Sequence, residues 1–285
     1  MIKKKSILIT GGYGFLGTNI FKNLKKKNKV IRIGKFKKKK IITFKNLKRL
    51  NIHFDIIIHC AGGSSVINSI EYPKQDYDKT VGSIKAVIRF IKLHNNQVKL
   101  IYISSPAIYG NSIKKKLFRP ISPYGKNKLI AEKLLTKFVK KNKCKLIIIR
   151  FFSLYGDGLK KQLLWDILTK LKKKIHNFHG TGEEKRLWMH VQDAVNVIKL
   201  SIIHSKKKVE IINAAGGDIL KNKAVIKLVY KLLKINKKPL FSGISRKGDP
   251  SILSLRNKEL KKIGWKSSIS FSSGLNNYIK WFKKK

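Results

Sequence analysis

The sequence predicts an α/β fold, in which a doubly wound parallel sheet is followed by a smaller C-terminal lobe. Two observations support this fold class. Short runs of Ile, Leu and Val alternate with helix-length amphipathic segments up to about residue 155. These apolar runs are continuous, which is typical of strands buried on both faces of a parallel sheet. We therefore assign one domain to residues 1–155, completed by a later strand from about 185–215, and a second lobe to residues 156–285.

The elements follow one another in a regular order. After the first strand and helix come a second strand, a lysine-rich stretch, and a third strand of nearly continuous isoleucine. The predicted strands are 6–10, 30–33, 55–62, 100–105 and 145–152, and the predicted helices are 15–28, 80–94 and 124–141. Beyond Tyr155 the order is less regular, and turns at FHGTGEEK and AAGGD are rich in glycine. This change favours a separate, smaller lobe.

Composition excludes several classes of protein. With 285 residues and 42% hydrophobic content, the chain can bury a large core and is not disordered. No apolar run approaches the roughly 20 residues that span a bilayer, and the apolar tract after the N-terminal lysines is too short for a secretory signal. Cys60 and Cys144 show neither metal-site spacing nor a disulfide pattern. We expect a soluble, cytoplasmic protein without a membrane segment or a metal site.

The formal net charge of +52 has two interpretations. A specific nucleic-acid binder concentrates its positive charge on one face or tail, often with arginine and interleaved aromatic residues. Here lysines are spread from end to end among isoleucines and asparagines, as in KKNKCKLIII and LLKINKKPL. We interpret the charge as a global compositional bias, which would cause salt-sensitive, nonspecific binding to polyanions but no specific nucleic-acid site.

A glycine-rich turn joins the first strand to the first helix in SILITGGYGFLGTNI. Gly12, Gly14 and Gly17 fit G-x-G-x-x-G, and Gly11, Gly14 and Gly17 fit the related G-x-x-G-x-x-G. Glycine allows a tight turn, a close approach to a pyrophosphate and close packing of helix on strand. The helix N-terminus adds N–H groups for the phosphates. In this context the motif predicts a dinucleotide-binding Rossmann domain, against the alternative of a glycine-rich loop without a ligand.

A second motif, SPYGKNK, places Tyr124 and Lys128 one helical turn apart. An ammonium group there would favour the phenolate and lower the pKa of tyrosine from its usual value of about 10, as acid–base chemistry at an alcohol or carbonyl requires. The pair alone is a weak signal in a lysine-rich chain. Ser104 and Ser105 end an apolar strand at its carboxyl edge, where ligands lie in open α/β sheets. The combination predicts a Ser-Tyr-Lys site.

With these motifs in place, the chain resembles the extended short-chain dehydrogenases/reductases, in the group of NAD(P)-dependent nucleotide-sugar epimerases, dehydratases and reductases. The resemblance runs nearly from end to end. The matching segments are TGGYGFLG (10–17), DIIIHCAG (55–62), SSPAIYG (104–110), YGKNK (124–128), RFFSLYG (150–156), RLWMHVQDA (186–194), RKGD (246–249) and LKKIGW (260–265).

The resemblance implies roles for individual residues. Tyr124 would be the catalytic acid/base, Lys128 its partner and a contact of the nicotinamide ribose, and Ser105 the catalytic serine. The cofactor would also be bound by Gly11, Gly14, Phe15, Leu16, Gly17, Asp55, Ala61 and Gly62, with Asp55 near the adenine and the last two lining the cleft. The substrate would be held by Ser153, Arg186 and Arg246, the two arginines at positions that bind its diphosphate or nucleotide.

The sequence departs from the family pattern at four positions. Dehydratases of this group carry an Asp-Glu pair after the catalytic serine or threonine, where this chain has Pro106 and Ala107. Without an acid to protonate a leaving hydroxyl, we do not expect 4,6-dehydration. Thr80 and Ser153 stand where the family has asparagine.

The choice of cofactor depends on the end of the second strand. A site that prefers NAD has an acid about 20 residues after the glycines, which binds the ribose 2′-hydroxyl. No Asp or Glu occurs between Gly17 and Asp55, while Arg32 and Lys35 stand at the strand end. The sign of the charge slightly favours NADP over NAD, with Lys35 as a contact of the 2′-phosphate.

Together these observations predict an NAD(P)-dependent nucleotide-sugar epimerase or 4-ketoreductase with a Ser-Tyr-Lys triad, in polysaccharide biosynthesis. The C-terminal lobe would be mainly substrate-binding. The resemblance also implies a homodimer that pairs helices 80–94 and 124–141. The alternative is a non-catalytic member of the fold that binds NAD(P) or RNA.

Overall fold

A computed structural model describes residues 2–34, 44, 47, 52–94, 97–111, 117–244 and 258–285. Its strands are β1 (Ser6–Thr10), β2 (Lys29–Ile33), β3 (Ile56–His59), β4 (Lys99–Ser104), β5 (Lys145–Phe151), β6 (Ser153–Tyr155), β7 (Asn177–Phe178), β8 (Lys185–His190), β9 (Val209–Ala214), β10 (Asp218–Lys221) and β11 (Leu240–Phe241). Its helices are α1 (Phe15–Leu24), α2 (Val66–Glu71), α3 (Pro73–Tyr77), α4 (Ser83–His94), α5 (Pro123–Lys140), α6 (Gln162–Lys172), α7 (Val191–His204), α8 (Asn222–Leu233), α9 (Lys258–Lys262) and α10 (Phe271–Lys283).

The central sheet has six parallel strands in the order β2-β1-β3-β4-β5-β9. Helices cover both of its faces: α1 and α7 pack on one, and α4 and α5 on the other. Ile9, Ile58 and Ile147 point to the first layer, while Leu8 and Ile57 point to the second, and all are buried. The predicted fold class is confirmed, because continuous isoleucine and leucine fill both layers.

Several element boundaries differ from the predictions. The first helix ends at Leu24 rather than at residue 28, because Asn28 Nδ2 donates to the Leu24 carbonyl and closes the turn. The third strand ends at His59 rather than at residue 62, since the chain then bends into a loop with Gly62 at φ +145°. A π-helical turn over Asp78–Gly82 precedes α4, and the short helices α2 and α3 were not predicted.

The C-terminal part adds two small sheets, β10-β8-β6 and β11-β7, to helices α6, α8 and α10. Its core is aromatic: Tyr155 packs against Trp188 and Phe271 with ring centroids 5.9 and 5.0 Å apart. Strand β9 returns to the central sheet beside β5. Asp193 on α7 accepts hydrogen bonds from the backbone N–H groups of Ser268 and Ile269, which fixes the C-terminal segment to the central domain.

None of the helices within the described residues combines the length and apolar character that crossing a membrane requires.

Candidate active site

The glycine-rich turn lies between β1 and α1 and is closed by a hydrogen bond from Gly14 N to Gly11 O of 2.9 Å. A Cβ on Gly17 would lie 2.4 Å from Gly11 O, and one on Gly11 would lie 2.7 Å from Ala61 N. No side chain caps α1, and its first turn contains no acidic residue. The N–H groups at the start of α1, which include those of Phe15 and Leu16, are therefore suited to a phosphate.

The loop after β3 forms the opposite wall of the cleft. Gly62 approaches Lys128 closely, since a Cβ there would lie 3.4 Å from Lys128 Nζ. Gly63 N–H donates to Thr80 Oγ1 at 2.8 Å, and Thr80 is fully buried. Threonine at this position, where the family has asparagine, thus fixes the loop through its hydroxyl. Ala61 N–H donates to Thr10 Oγ1 at the end of β1.

The two serines at the end of β4 have different surroundings. Ser104 is buried and donates to Glu132 Oε1 at 2.6 Å. Ser105 is partly exposed, accepts a hydrogen bond from Ala107 N–H, and lies close enough to Tyr124 to lower the pKa of that phenol. The structure therefore brings Ser105, and not Ser104, to the tyrosine hydroxyl.

Helix α5 presents Tyr124 and Lys128 on the same side. Its first turn is fixed by the Ser122 cap and by a hydrogen bond from Tyr124 N–H to Ser69 Oγ at 3.0 Å. Lys128 is only 4% exposed, donates to the Ile103 carbonyl at 2.9 Å, and lies 5.8 Å from the centroid of the Tyr124 ring. Burial lowers the pKa of Lys128 to about 8, although the Asp76 carboxylate opposes the shift.

The expected effect on tyrosine was wrong in this arrangement. Burial raises the pKa of Tyr124 above its usual value, and the Asp76 charge adds to the rise, while the Ser105 hydrogen bond opposes both. The Lys128 ammonium group is itself directed to the Ile103 carbonyl. Tyr124 is consequently protonated at neutral pH, a state that suits a proton donor.

Asp76 is a site residue that the sequence analysis missed. Its side chain is 5% exposed and accepts a hydrogen bond of 2.8 Å from Asn127 Nδ2, one residue before Lys128. It also lies against Gly63, where a Cβ would overlap Asp Oδ1 at 1.7 Å. The one feature of the sequence that could have indicated Asp76 is the rarity of acidic residues, since the chain has only 14 Asp and Glu in 285 residues. A buried carboxylate here stabilises positive charge on Lys128.

A buried ion pair supports the end of β4. Arg150 on β5 donates to Glu132 through Nε at 3.0 Å and Nη2 at 2.6 Å. Its Nη1 donates to Tyr109 Oη, which in turn donates to Asn213 Oδ1 at 2.6 Å. Glu132 also holds Ser104, so the network fixes the backbone that carries Ser105.

Asp55 lies at the other edge of the sheet. It precedes β3, accepts from Ser6 N–H at 2.8 Å, and pairs with Lys5 at 3.2 Å. Because β1 and β3 are parallel, this amino edge is opposite to the one that carries Gly11. The expectation that Asp55 contacts the adenine is thus corrected: a residue just before a parallel strand lies at the edge opposite to the glycine-rich turn.

Two predicted contacts, Lys35 and Arg246, lie outside the described residues. Ser153 and Arg186 belong to the small lobe sheet, where Ser153 on β6 is in register with Trp188 on β8, two residues beyond Arg186. Both side chains are partly exposed.

The end of β2 is positively charged and borders the glycine turn. The Arg32 guanidinium stacks over the rings of Tyr13 and Phe21, at 4.3 and 3.8 Å from their centroids. Gly12 is packed against this side chain, since a Cβ there would lie 2.7 Å from Arg32 Cβ. The stacking holds a cation beside the loop that a dinucleotide would occupy.

His59 at the end of β3 is a buried structural residue. Its Nδ1 lies 2.8 Å from Thr10 Oγ1, and its Nε2 lies 3.2 Å from Ser83 Oγ. Burial, reinforced by the Lys128 charge, lowers its pKa to about 3. No group of three or more potential metal ligands occurs among the described residues.

Comparison with known proteins agrees with this geometry. The model of the NAD dependent epimerase/dehydratase family matches residues 7–215. The chain belongs to this family. A putative UDP-glucose 4-epimerase of Methanocaldococcus jannaschii is 23% identical, with 97% of this chain and 98% of the relative covered. A dTDP-D-glucose 4,6-dehydratase of Dictyostelium discoideum is 26% identical, with 98% and 82% covered.

Solved structures of epimerases share the fold of this family member. A UDP-N-acetylglucosamine 4-epimerase from Methanobrevibacter ruminantium superimposes with a TM-score of 0.89 at 22% identity, covering 99% of both chains. A UDP-glucuronic acid 4-epimerase from Bacillus cereus, in complex with UDP-glucuronic acid and NAD, has a TM-score of 0.87 at 22% identity and covers 98% of this chain and 99% of that one.

Proposed function

We propose that this protein is an NAD(P)-dependent enzyme that acts on a nucleotide-diphosphate sugar, as a 4-epimerase or a 4-ketoreductase. The observation that carries the proposal is the convergence of Ser105, Tyr124 and the buried Lys128 at the carboxyl edge of the sheet, with Lys128 Nζ 5.8 Å from the centroid of the Tyr124 ring. The glycine turn and Gly62 border the same cleft. Membership of the epimerase/dehydratase family supports the substrate class.

Tyr124 moves the proton of the reacting sugar oxygen. When bound, the nicotinamide cofactor would supply hydride transfer at the adjacent carbon. The protonated phenol donates its proton to a keto oxygen when the sugar is reduced, and the phenolate accepts the proton of the alcohol when the sugar is oxidised. Ser105 binds the same oxygen and stabilises the charge that develops on the phenol.

Lys128 supplies positive charge to this reaction. Its ammonium group is buried beside Gly62 in the wall of the cleft, where it would hold the hydroxyls of the nicotinamide ribose. A pKa of about 8 means that most molecules carry the charge at pH 7 and lose it under alkaline conditions. Asp76 maintains the charge, which makes it a positioning residue for Lys128.

The residues after Ser105 support epimerisation or ketoreduction over dehydration. Pro106 and Ala107 form a short 3-10 turn with Tyr109, and both are buried. Neither can protonate a leaving hydroxyl. The residues at these two positions disfavour dehydration in this chain, even though one of its relatives is a dTDP-D-glucose 4,6-dehydratase.

For the cofactor, we propose binding of NADP as well as NAD, with a slight preference for NADP. The stacked Arg32 beside Gly12 suits a 2′-phosphate, and the sequence offers no acid that would repel it. NAD is the cofactor in the Bacillus cereus complex and gives the family its name. Gly11, Gly14 and Gly17 would hold the diphosphate of either dinucleotide.

For the substrate, we propose that Ser153 and Arg186 face the nucleotide sugar from the lobe. Arginine suits a diphosphate because its planar guanidinium binds two oxygens together. Structural neighbours bind UDP-glucuronic acid or UDP-N-acetylmuramic acid, so a UDP-sugar is the first class to test.

We also propose a homodimer formed through α4 and α5, which pack side by side. Exposed apolar side chains, Leu93 at 65% and Ile130 at 38%, lie on these helices and support the proposal. Light scattering of the purified protein tests it: a mass of one chain would contradict it.

The function is tested by a substrate panel. The dinucleotide that co-purifies is identified, and UDP-, dTDP- and GDP-sugars are then followed by NMR with that dinucleotide. We expect epimerisation or 4-ketoreduction of one sugar class, and a Ser105→Ala variant that is slower but folded. Absence of turnover for every nucleotide sugar, with intact cofactor binding, would contradict the proposal.

A further inference from the structure

Lys161 lies between the lobe and the cofactor cleft. It immediately precedes α6 and is half-buried. Its Nζ is 2.5 Å from Ser64 Oγ and 3.5 Å from the Ser64 carbonyl, in the loop that continues from Gly62. A side chain from the region after β6 thus reaches across to the wall of the candidate active site.

The charge of Lys161 lacks an acidic counterpart among the described residues. Its hydrogen-bond partners there are the two neutral oxygens of Ser64. Burial lowers the pKa of Lys161, and no carboxylate opposes this effect. Lys128 differs, because Asp76 and Glu132 both raise its pKa.

Lys161 is also close to the proposed chemistry. Its charge is near enough to Lys128 to lower the pKa of that residue. The described lysines whose pKa is lowered by burial are Lys99, Lys128 and Lys161. Lysine abundance accounts for the many solvated side chains, but it does not account for a half-buried ammonium directed onto loop oxygens beside Lys128.

Two desolvated ammonium groups at one cleft repel each other unless an anion lies between them. A phosphate or carboxylate oxygen would replace neutral oxygens as the partner of Lys161 and would form a charge-assisted hydrogen bond. Lysine suits this role because its ammonium is a compact charge on a flexible stem that can move from Ser64 to a ligand.

We propose that Lys161 binds an anionic oxygen group of the nucleotide-sugar substrate, either a carboxylate on the sugar or the sugar-linked phosphate. The inference rests on the proposed function and deepens it, because it makes the charge of the substrate part of its recognition. Lys161 is a binding residue and takes no part in proton transfer.

The test uses a Lys161→Met variant, which keeps most of the length of the side chain and removes its charge. Lys160→Met is the matched control, since Lys160 is adjacent and exposed. Binding of UDP-glucose, UDP-glucuronate, UDP and the dinucleotide to each full-length protein is measured by calorimetry.

If Lys161→Met binds UDP-glucuronate about 10- to 100-fold more weakly and the other ligands as before, the inference is supported and the sugar carboxylate is the anion. Equal weakening of both nucleotide sugars and of UDP would support it and identify the phosphate. Unchanged affinities, or weakened dinucleotide binding alone, would overturn it. A wild-type protein that binds no nucleotide sugar would instead overturn the proposed function on which it rests.

Discussion

Each edge of the central sheet holds a lysine that is at least partly removed from solvent, and the two lysines differ in what surrounds them. At the carboxyl edge, Lys128 donates to the Ile103 carbonyl at 2.9 Å, with Tyr124 and Asp76 near it. At the amino edge, Lys99 donates to the Ile202 carbonyl at 2.7 Å. Burial lowers the pKa of both side chains.

The amino edge forms a cavity of about 620 Å³ lined by several lysines. There Lys145 lowers the pKa of Lys99 further, and the neighbouring carboxylate, Asp55, is paired with Lys5. At the carboxyl edge the buried Asp76 opposes the loss of charge from Lys128, and Tyr124 and Ser105 lie close by. Lysine density alone therefore does not indicate function; its partners do.

The largest difference is expected when each lysine is replaced by methionine. Lys128→Met should reduce turnover by about 10²- to 10⁴-fold, because the positive charge beside Tyr124 is lost. Lys99→Met should change turnover less than about 2-fold, since it affects only the edge away from the chemistry. Steady-state kinetics with the identified nucleotide sugar measures both, and equal effects would remove the distinction between the edges.

The acids at the two edges should also differ. Glu132→Gln leaves the buried Arg150 without a countercharge, and we expect the free energy of unfolding to fall by about 3–5 kcal/mol. Asp55→Asn breaks a partly exposed pair with Lys5 and should cost about 1 kcal/mol or less. Urea unfolding gives both values. Similar losses of unfolding free energy in the two variants would mean that the Glu132–Arg150 pair does not stabilise the carboxyl edge more than the Asp55–Lys5 pair stabilises the amino edge.

Acid should destabilise the carboxyl edge through His59. Its pKa in the folded protein is about 3 against 6.5 unfolded, so the unfolded state binds the extra proton between these values. Stability should therefore fall as the pH decreases below 6.5, by about 1.4 kcal/mol per unit from this residue. In His59→Gln, the free energy of unfolding measured in urea should change less with pH between 6.5 and 4.5. The exposed His53→Gln should keep the pH dependence of the wild type.

The smallest expected effect is a shift in the dependence of turnover on pH. Asp76 raises the pKa of Lys128, so Asp76→Asn should move the alkaline loss of turnover to lower pH by about one unit. The exposed Asp78→Asn serves as control and should leave the profile in place. An unchanged profile in Asp76→Asn would show that this carboxylate does not set the charge of Lys128.

Much of the site followed from the sequence because strand direction dictates it. In a parallel sheet the carboxyl ends meet, so the turn at Gly11 and the serine at Ser105 had to lie at the same edge. Asp55 was misplaced because its family motif was considered without the direction of its strand.

Other features depended on tertiary packing. Asp76 lies in α3, a helix of five residues that is too short to show a periodic pattern, and the packing of α3 on α5 brings it to Asn127. The raised pKa of Tyr124 could not be inferred from helical spacing either, since burial decides it.

The central claim is that Tyr124 transfers the proton at the carboxyl edge. Tyr102 provides a matched control: it is fully buried, lies 5.1 Å below Lys128 Nζ, and has a hydroxyl without a hydrogen-bond partner among the described residues. The most direct measurement compares turnover of the nucleotide sugar by Tyr124→Phe and Tyr102→Phe. We predict a loss of about 10²-fold or more for Tyr124→Phe with substrate and dinucleotide affinities retained, and near wild-type turnover for Tyr102→Phe. Full turnover by Tyr124→Phe would contradict the account.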